Sequence, residues 1–262
     1  MDIAQVKGLA YAKRAAEVAL TGGHSILYTS VRGSGKSILL QAVGDIAEQV
    51  YGEKKPYTLY DTSNPFVRLE EEATLAAIIR VYNKDRIIFA GIPVCECGFY
   101  RDNLRRCACE PKRLYNYYEK LLPIGIEFPL YLHIERPSFE ELIRESNYDT
   151  SDEWIKRIKK AHIVQEERYK DKKMMYPYNG YMRQEDILEI CKFDEASRSI
   201  LRTATNKLGL TARQFYNVLK IGRTIADMAE SKEVLAVHLA EAIQYQYKPQ
   251  VETDAHGNNI IF

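Results

Sequence analysis

The octapeptide Ser30-Val31-Arg32-Gly33-Ser34-Gly35-Lys36-Ser37 carries the clearest chemistry in the sequence. It follows the apolar run Ile26-Leu27-Tyr28 and leads into a helical pattern marked by Ile38, Leu39, Leu40, Val43, Ile46 and Ala47. Strand, glycine turn and helix in that order suit phosphate binding. The glycines let successive backbone N–H groups turn inward around phosphate oxygens, and the positive end of the helix dipole faces the same anion. In this arrangement Gly33, Ser34 and Gly35 form the cradle, Lys36 reaches the β- and γ-phosphates, and the Ser37 hydroxyl sits on Mg²⁺. The full pattern begins with a glycine, and here that position is Ser30, so a Cβ stands where any φ is usually tolerated. The plainer alternative is a glycine-serine turn ahead of a surface helix.

A second constellation is Cys95-x-Cys97, then nine residues, then Cys107-x-Cys109. Four thiols in two close pairs meet the four-coordinate thiolate requirement of structural zinc, although C-x-x-C is the commoner spacing. Buried free cysteines are the alternative. The loop between the pairs, with Gly98, Arg101, Asp102, Asn103, Arg105 and Arg106, is polar for that. A third candidate is Asp61, at the end of Tyr57-Thr58-Leu59-Tyr60, where a carboxylate would hold the hydration shell of Mg²⁺. An Asp at a strand end serves equally as a turn former or helix cap. Arg101, Arg105, Arg106, Lys112, Arg113 and Lys120 alternate with Tyr100, Tyr115, Tyr117 and Tyr118, as a groove for single-stranded nucleic acid would need, or as a solvated helix face would show.

The elements that must position these residues can be read in order. A helix over 9–20 ends at Gly22-Gly23, and the phosphate-loop helix fades at Tyr51-Gly52. A strand at 57–61, a helix over 66–82 and a strand at 86–91 follow. A charge-rich helix spans 111–120, and a strand at 130–134 is closed by Pro137. Ser138-x-x-Glu141, Thr150-x-x-Glu153 and Thr211-x-x-Gln214 read as capping boxes. The second opens a long basic helix to about 173. Tyr176-Pro177-Tyr178-Asn179-Gly180 reads as a linker and places a domain boundary near 180. Beyond it the pattern is helical, with Gly209 as a stop, Cys191 as a core residue, a last helix over 236–247 and a polar tail from 249 expected to fray.

The 262 residues carry 37 Lys and Arg against 36 Asp and Glu, so no global charge marks a nucleic-acid binder. No apolar run approaches the ~20 residues of a membrane span, and Met1-Asp2-Ile3 opens no signal peptide. The expectation is a cytoplasmic protein with free or metal-bound cysteines and no membrane partner.

Val6-Lys7-Gly8, Ala12-Lys13-Arg14-Ala15, Gly22-Gly23-His24, the phosphate loop, Cys95-Glu96-Cys97-Gly98, and the blocks Leu208-Gly209-Leu210-Thr211-Ala212-Arg213, Arg223-Thr224-Ile225-Ala226-Asp227 and Glu241-Ala242-Ile243-Gln244-Tyr245 carry a resemblance. Over nearly the whole chain the sequence resembles the magnesium-chelatase-like AAA+ ATPases of the competence protein ComM (YifB) type. The resemblance implies an α/β fold, an AAA+ P-loop three-layer core with a shortened parallel sheet, and a C-terminal all-α lid. The implied division is a core at 1–138 with a Cys-rich insert at 95–109, a helical connector at 139–180, a lid at 181–250 and a tail at 251–262. It also implies ATP and Mg²⁺ as cofactors, rings built from this chain or with partner AAA+ subunits, and ATP-driven work on DNA. The family's N-terminal protease-like domain is not among these residues.

Three departures bear on activity. By the resemblance Asp61 keeps the metal-holding position, but Thr62 stands in place of the water-polarising glutamate. Ile92-Pro93-Val94 lacks the sensor asparagine, and Ile126-Glu127-Phe128-Pro129 lacks the arginine finger. Arg213 matches the lid arginine that contacts the γ-phosphate. Because the water-orienting group and a trans arginine each contribute orders of magnitude, the resemblance implies slow or absent hydrolysis. The family's strand order resembles 5-1-4-3-2, and the shortening between 51 and 57 would remove the outermost strand. The rival reading is a non-catalytic zinc knuckle that grips DNA or a partner ATPase.

Overall fold

The computed structural model describes residues 1–51, 57–60, 87–143, 149–174, 176–246, 251–253 and 259–261. Asp61, Thr62 and the helix expected over 66–82 lie outside the described residues.

Four parallel strands form the central sheet. They are β1 (Ile26–Ser30), β2 (Tyr57–Tyr60), β3 (Ile87–Pro93) and β4 (Leu130–Ile134), in the order β2-β3-β1-β4. β1 is paired on both sides, Ile26 to Ser30 running opposite Phe89 to Pro93 and opposite Leu130 to Ile134. A strand inside a parallel sheet is covered on both faces, which is why Ile26-Leu27-Tyr28 reads as a continuous apolar run. On one face Ile26, Tyr28, Phe89, Leu130 and Leu132 join a core with helices α1 (Ala10–Gly22) and α2 (Lys36–Tyr51). On the other, Leu27, Ile88, Ala90 and Ile92 meet Tyr117, Tyr118, Leu121 and Ile124 of α3 (Pro111–Glu127). The result is a helix–sheet–helix sandwich with a small parallel sheet, consistent with a shortened AAA+ fold. The strand order is the one expected with the outermost member removed.

After β4 the chain is helical: α4 (Phe139–Ile143), α5 (Ser151–Tyr169), α6 (Gln184–Ile190), α7 (Glu195–Leu208), α8 (Ala212–Met228) and α9 (Ala236–Gln244). All three capping boxes form. Ser138 and Glu141, Thr150 and Glu153, and Thr211 and Gln214 exchange backbone and side-chain hydrogen bonds reciprocally. Gly209, at φ +64°, terminates α7, and Cys191 is buried with its thiol donating to Leu219 O.

Three sequence expectations change. The helix starting at 111 runs to Glu127 rather than stopping at 120, because Tyr117, Tyr118, Leu121 and Ile124 give it an apolar face that continues past the charged turn. The stretch at 176–180 is not a loose linker, since Tyr178 and Asn179 are buried. Its Gly180 serves close packing: a Cβ there would lie 2.4 Å from Gly23 O. The tail does not simply fray. β5 (Val251–Thr253) and β6 (Asn259–Ile261) pair as an antiparallel ribbon, as their β-branched residues favour.

Asn179 is also part of the network that ties the helices to the sheet. Asp227 accepts both arms of the Arg168 guanidinium at 2.7 and 2.5 Å, Arg223 Nε at 3.1 Å and the Asn179 amide at 2.8 Å. Thr224 Oγ1 bonds Asn179 and, at 2.8 Å, His24 Nε2 in the turn before β1. The motif Arg223-Thr224-Ile225-Ala226-Asp227 therefore works as a buried clamp. Burial, with Lys220 adding to it, pushes the His24 pKa down to about 3.

Removing one partner of a buried ion pair leaves the other uncompensated, so Asp227→Ala should cost about 3–5 kcal/mol in denaturant unfolding. Glu230→Ala, which breaks the exposed pair with Lys160, should cost under about 1 kcal/mol. His24 is held neutral, so it supports stability fully above its ordinary pKa near 6.5 and loses that support as pH falls towards 3. At pH 4 the loss should be about 3 kcal/mol. Stability measured from pH 7 to 4 should fall less steeply in His24→Gln than in the native chain.

Candidate functional site

The glycine loop leaves the sheet at the carboxyl end of β1. Ser30 is the last residue of β1 and is paired on both sides, so its backbone is extended and its Cβ is no obstacle. Left-handed backbone is required three and five residues later, at Gly33 (φ +78°) and Gly35 (φ +89°), and both positions are glycine. α2 begins at once with Lys36. The Lys36 stem crosses β3 where a Cβ on Gly91 would come within 2.6 Å of its Cδ, and Nζ donates to Gly91 O at 3.2 Å. Ser34 is buried, and its hydroxyl has no hydrogen-bond partner among the described residues. A buried polar atom without a partner is costly, and in this loop it leaves a place for an acceptor that no described residue supplies. Gly33, Ser34, Gly35, Lys36 and Ser37 all line one open cleft of about 810 Å³, walled also by Val6, Lys7, Pro93 and Pro137. The loop thus fits a polyphosphate, with Ser37 in the first turn of α2 beside it.

The cysteine loop is built against the same turn. Val94 N donates to Ser30 O at 3.0 Å, Arg32 N donates to Gly98 O at 2.9 Å, and Val31, Val94 and Cys95 share a small core with Tyr100 and Leu114. The four sulfurs of Cys95, Cys97, Cys107 and Cys109 all lie within 4.8 Å of one another. Cys95 to Cys97 and Cys97 to Cys107 are 3.5 Å apart, and Cys95 to Cys107 is 3.8 Å. A tetrahedron with metal–sulfur bonds of ~2.3 Å has edges of ~3.8 Å, so the donor set fits a tetrahedral thiolate metal such as zinc. Amides point at the sulfurs: Tyr100 N at Cys95, Cys97 N at Cys109 and Cys109 N at Cys107. Burial pushes the Cys95 and Cys107 thiols up, the latter to about 11. At Cys97 burial is outweighed by the amides of Ala108 and Phe99, which bring it down to about 6.

Other expected residues are placed elsewhere. Arg213 pairs with Glu127 at the end of α3 and lines a second cleft of about 590 Å³ with Gly23, His24 and Ser25. Those residues precede β1, whereas the phosphate loop follows it, so the sheet separates Arg213 from the loop of its own chain. Tyr117 and Tyr118 face inward, their hydroxyls donating to Pro93 O and Val94 O, and offer no ring for base stacking. Arg101, Arg105 and Arg106 are exposed, the first two over the rings of Tyr100 and Phe99. Arg136 drew no attention in the sequence because it belongs to no motif. It reaches the loop nonetheless, and Asp102 holds its NH2 at 2.5 Å.

A glycine phosphate loop on a parallel sheet, followed by a helical half, defines an AAA+-like P-loop module. Residues 2–56 match the family model for magnesium chelatase, subunit ChlI, and residues 148–246 match that for the ChlI C-terminal region. The chain belongs to the magnesium-chelatase-like family of the ComM type. It is 33% identical over 98 residues to the competence protein ComM of Haemophilus influenzae, covering 37% of this chain and 18% of that protein. It is 27% identical over 150 residues to the uncharacterized protein YifB of Escherichia coli, covering 57% of this chain and 28% of that one. The matched segments are thus a minor part of these relatives. No helix among the described residues is long and apolar enough to cross a membrane.

Protein purified without chelator should carry tetrahedral thiolate metal, measurable by elemental analysis and by the thiolate charge-transfer absorption of a Co²⁺-substituted sample. Cys107→Ser should weaken that binding by at least about tenfold. Metal content unchanged in Cys107→Ser would exclude the four-sulfur site.

Proposed function

We propose that the chain is an ATP- and Mg²⁺-binding AAA+ module whose hydrolysis is weak or lost and which acts in DNA-related remodelling. The observation that carries the nucleotide reading is the buried Ser34 hydroxyl, without a partner among the described residues, in a two-glycine loop whose Lys36 and Ser37 line the same open cleft. Gly33, Ser34 and Gly35 hold the phosphates through their amides, Lys36 neutralises their charge, and Ser37 with Asp61 holds the magnesium shell. Bound Mg²⁺ would polarise the phosphates, while the residues of this chain orient and enclose them. Weak hydrolysis follows from Thr62, from Ile92-Pro93-Val94 and from Ile126-Glu127-Phe128-Pro129 standing where the resemblance expects catalytic groups.

The division proposed is a core at 1–138 with the cysteine insert at 95–109, a connector at 139–180, a lid at 181–250 and a tail at 251–262. Arg213 faces away from its own chain's loop, so its role as nucleotide sensor requires a neighbouring subunit, either a second copy or a partner AAA+ protein. The cysteine quartet holds zinc as a brace for the phosphate loop. The DNA role rests on the competence protein among the relatives and on the exposed Arg101, Arg105 and Arg106 around the knuckle. The same arginines favour the second reading, an interaction module whose knuckle grips DNA or a partner ATPase.

Calorimetry with ATP and Mg²⁺ should give micromolar binding that Lys36→Ala abolishes, and turnover should stay well below one per second. No binding, or binding indifferent to Lys36→Ala, would remove the nucleotide reading, and turnover of several per second would remove the claim of weak hydrolysis. A gel shift lost in Arg105→Ala/Arg106→Ala without change in nucleotide affinity would select the second reading.

A further inference from the structure

Arg136 lies two residues beyond β4 and precedes Pro137, which lines the loop cleft. Its guanidinium offers five N–H donors in a rigid fork. The protein uses one corner of that fork: NH2 donates to Asp102 Oδ2 at 2.5 Å. Asp102 is itself fixed, because its other oxygen accepts the amides of Leu104 at 2.8 Å and Arg105 at 3.2 Å in the cysteine loop. Arg136 Nε is buried and has no partner among the described residues. NH1 lies 3.2 Å from the point that a Cβ on Gly33 would occupy, so it stands directly against the apex of the phosphate loop.

A purely structural ion pair does not account for this arrangement. A brace between knuckle and sheet would use the fork bidentately, as Asp227 does with Arg168 at 2.7 and 2.5 Å. Here the carboxylate takes one nitrogen and leaves the remaining donors beside the loop. Among the described residues that line the cleft there are further donors and no carboxylate: Ser34, Lys36 and Ser37 all belong to it. Lys36 lies over β3 on one side of the loop and Arg136 on the other, next to Gly33. Two fixed cations flanking one amide cradle match a longer anionic chain than a single lysine needs. The residue nearest Arg136 is at the apex of the loop, away from the start of α2.

We propose that Arg136 contacts the terminal phosphate of a nucleoside triphosphate bound in its own chain's loop, and that Asp102 of the cysteine loop is the positioning residue that aims it there. The inference rests on the nucleotide reading above and adds to it. The site distinguishes triphosphate from diphosphate through a cis arginine that is held by the knuckle.

Calorimetric titrations of Mg²⁺-ATP and Mg²⁺-ADP into the native chain, Arg136→Gln, Arg136→Lys and Asp102→Asn test it. A charge-assisted hydrogen bond corresponds to roughly ten- to a hundredfold in affinity. Arg136→Gln should therefore weaken ATP by about that factor and leave ADP within about twofold. Arg136→Lys keeps the charge without the fork and should recover part of the loss. Asp102→Asn should lower the ATP preference with the arginine still present. Far-ultraviolet circular dichroism and metal content, unchanged from the native chain, show that the variants remain folded around the knuckle. Equal loss for both nucleotides, or no loss for either, overturns the assignment while native binding keeps the nucleotide reading intact. A native chain that binds neither nucleotide overturns that reading and this inference together.

Discussion

The two-sided pairing of β1 is the constraint on which the rest depends. Every residue of Ile26–Ser30 is buried, and its ladder continues beyond the strand as Val94 N on Ser30 O and Arg32 N on Gly98 O. A strand held on both edges fixes where its last residue points, so the turn that follows starts from an immobile base. That allows a short loop with glycines only at Gly33 and Gly35 to present its amides in one direction. It also explains why a serine is tolerated at the head of the motif, where the chain is still in the sheet.

The two ends of β1 have different partners. At the carboxyl end, the cysteine loop packs on Val31, crosses under Arg32 at Gly98 and sends Asp102 to Arg136. At the amino end, His24 bonds Thr224, which bonds Asn179, and through them it is joined to the Arg168–Asp227–Arg223 cluster. The part of the helical half around Asn179 and Asp227 is therefore anchored at the end of the sheet opposite the phosphate loop. This is why Arg213 sits against Glu127. A metal in the knuckle would stiffen the loop end, while the buried ion cluster holds the helical end.

What could be read from the sequence was local. The glycine loop is legible because left-handed backbone demands particular residues at particular positions. The capping boxes at Ser138, Thr150 and Thr211 are legible because both partners lie within one turn, and the cysteine quartet because its spacing is short. What was missed depends on contacts distant in sequence. Tyr117 and Tyr118 looked like a polar aromatic face because tyrosine is amphipathic, yet their hydroxyls reach strand-end carbonyls and their rings enter the core. Tyr176-Pro177-Tyr178-Asn179-Gly180 has the composition of a linker, but Gly180 is needed for close approach to Gly23 and Asn179 for the ion cluster. Arg136 carries no sequence signal, and its place beside Gly33 appears only when β4 is laid against β1.

On the proposed reading, the loop of Gly33 to Ser37 encloses the phosphates of a magnesium nucleotide. A crystal structure of the chain grown with a non-hydrolysable ATP analogue and Mg²⁺ tests it most directly. Phosphate density is expected inside the loop, with the Ser34 hydroxyl, the Lys36 ammonium and the Arg136 guanidinium turned towards it and the metal beside Ser37. An empty loop at saturating analogue, with the Ser34 hydroxyl satisfied by a protein group, would contradict it.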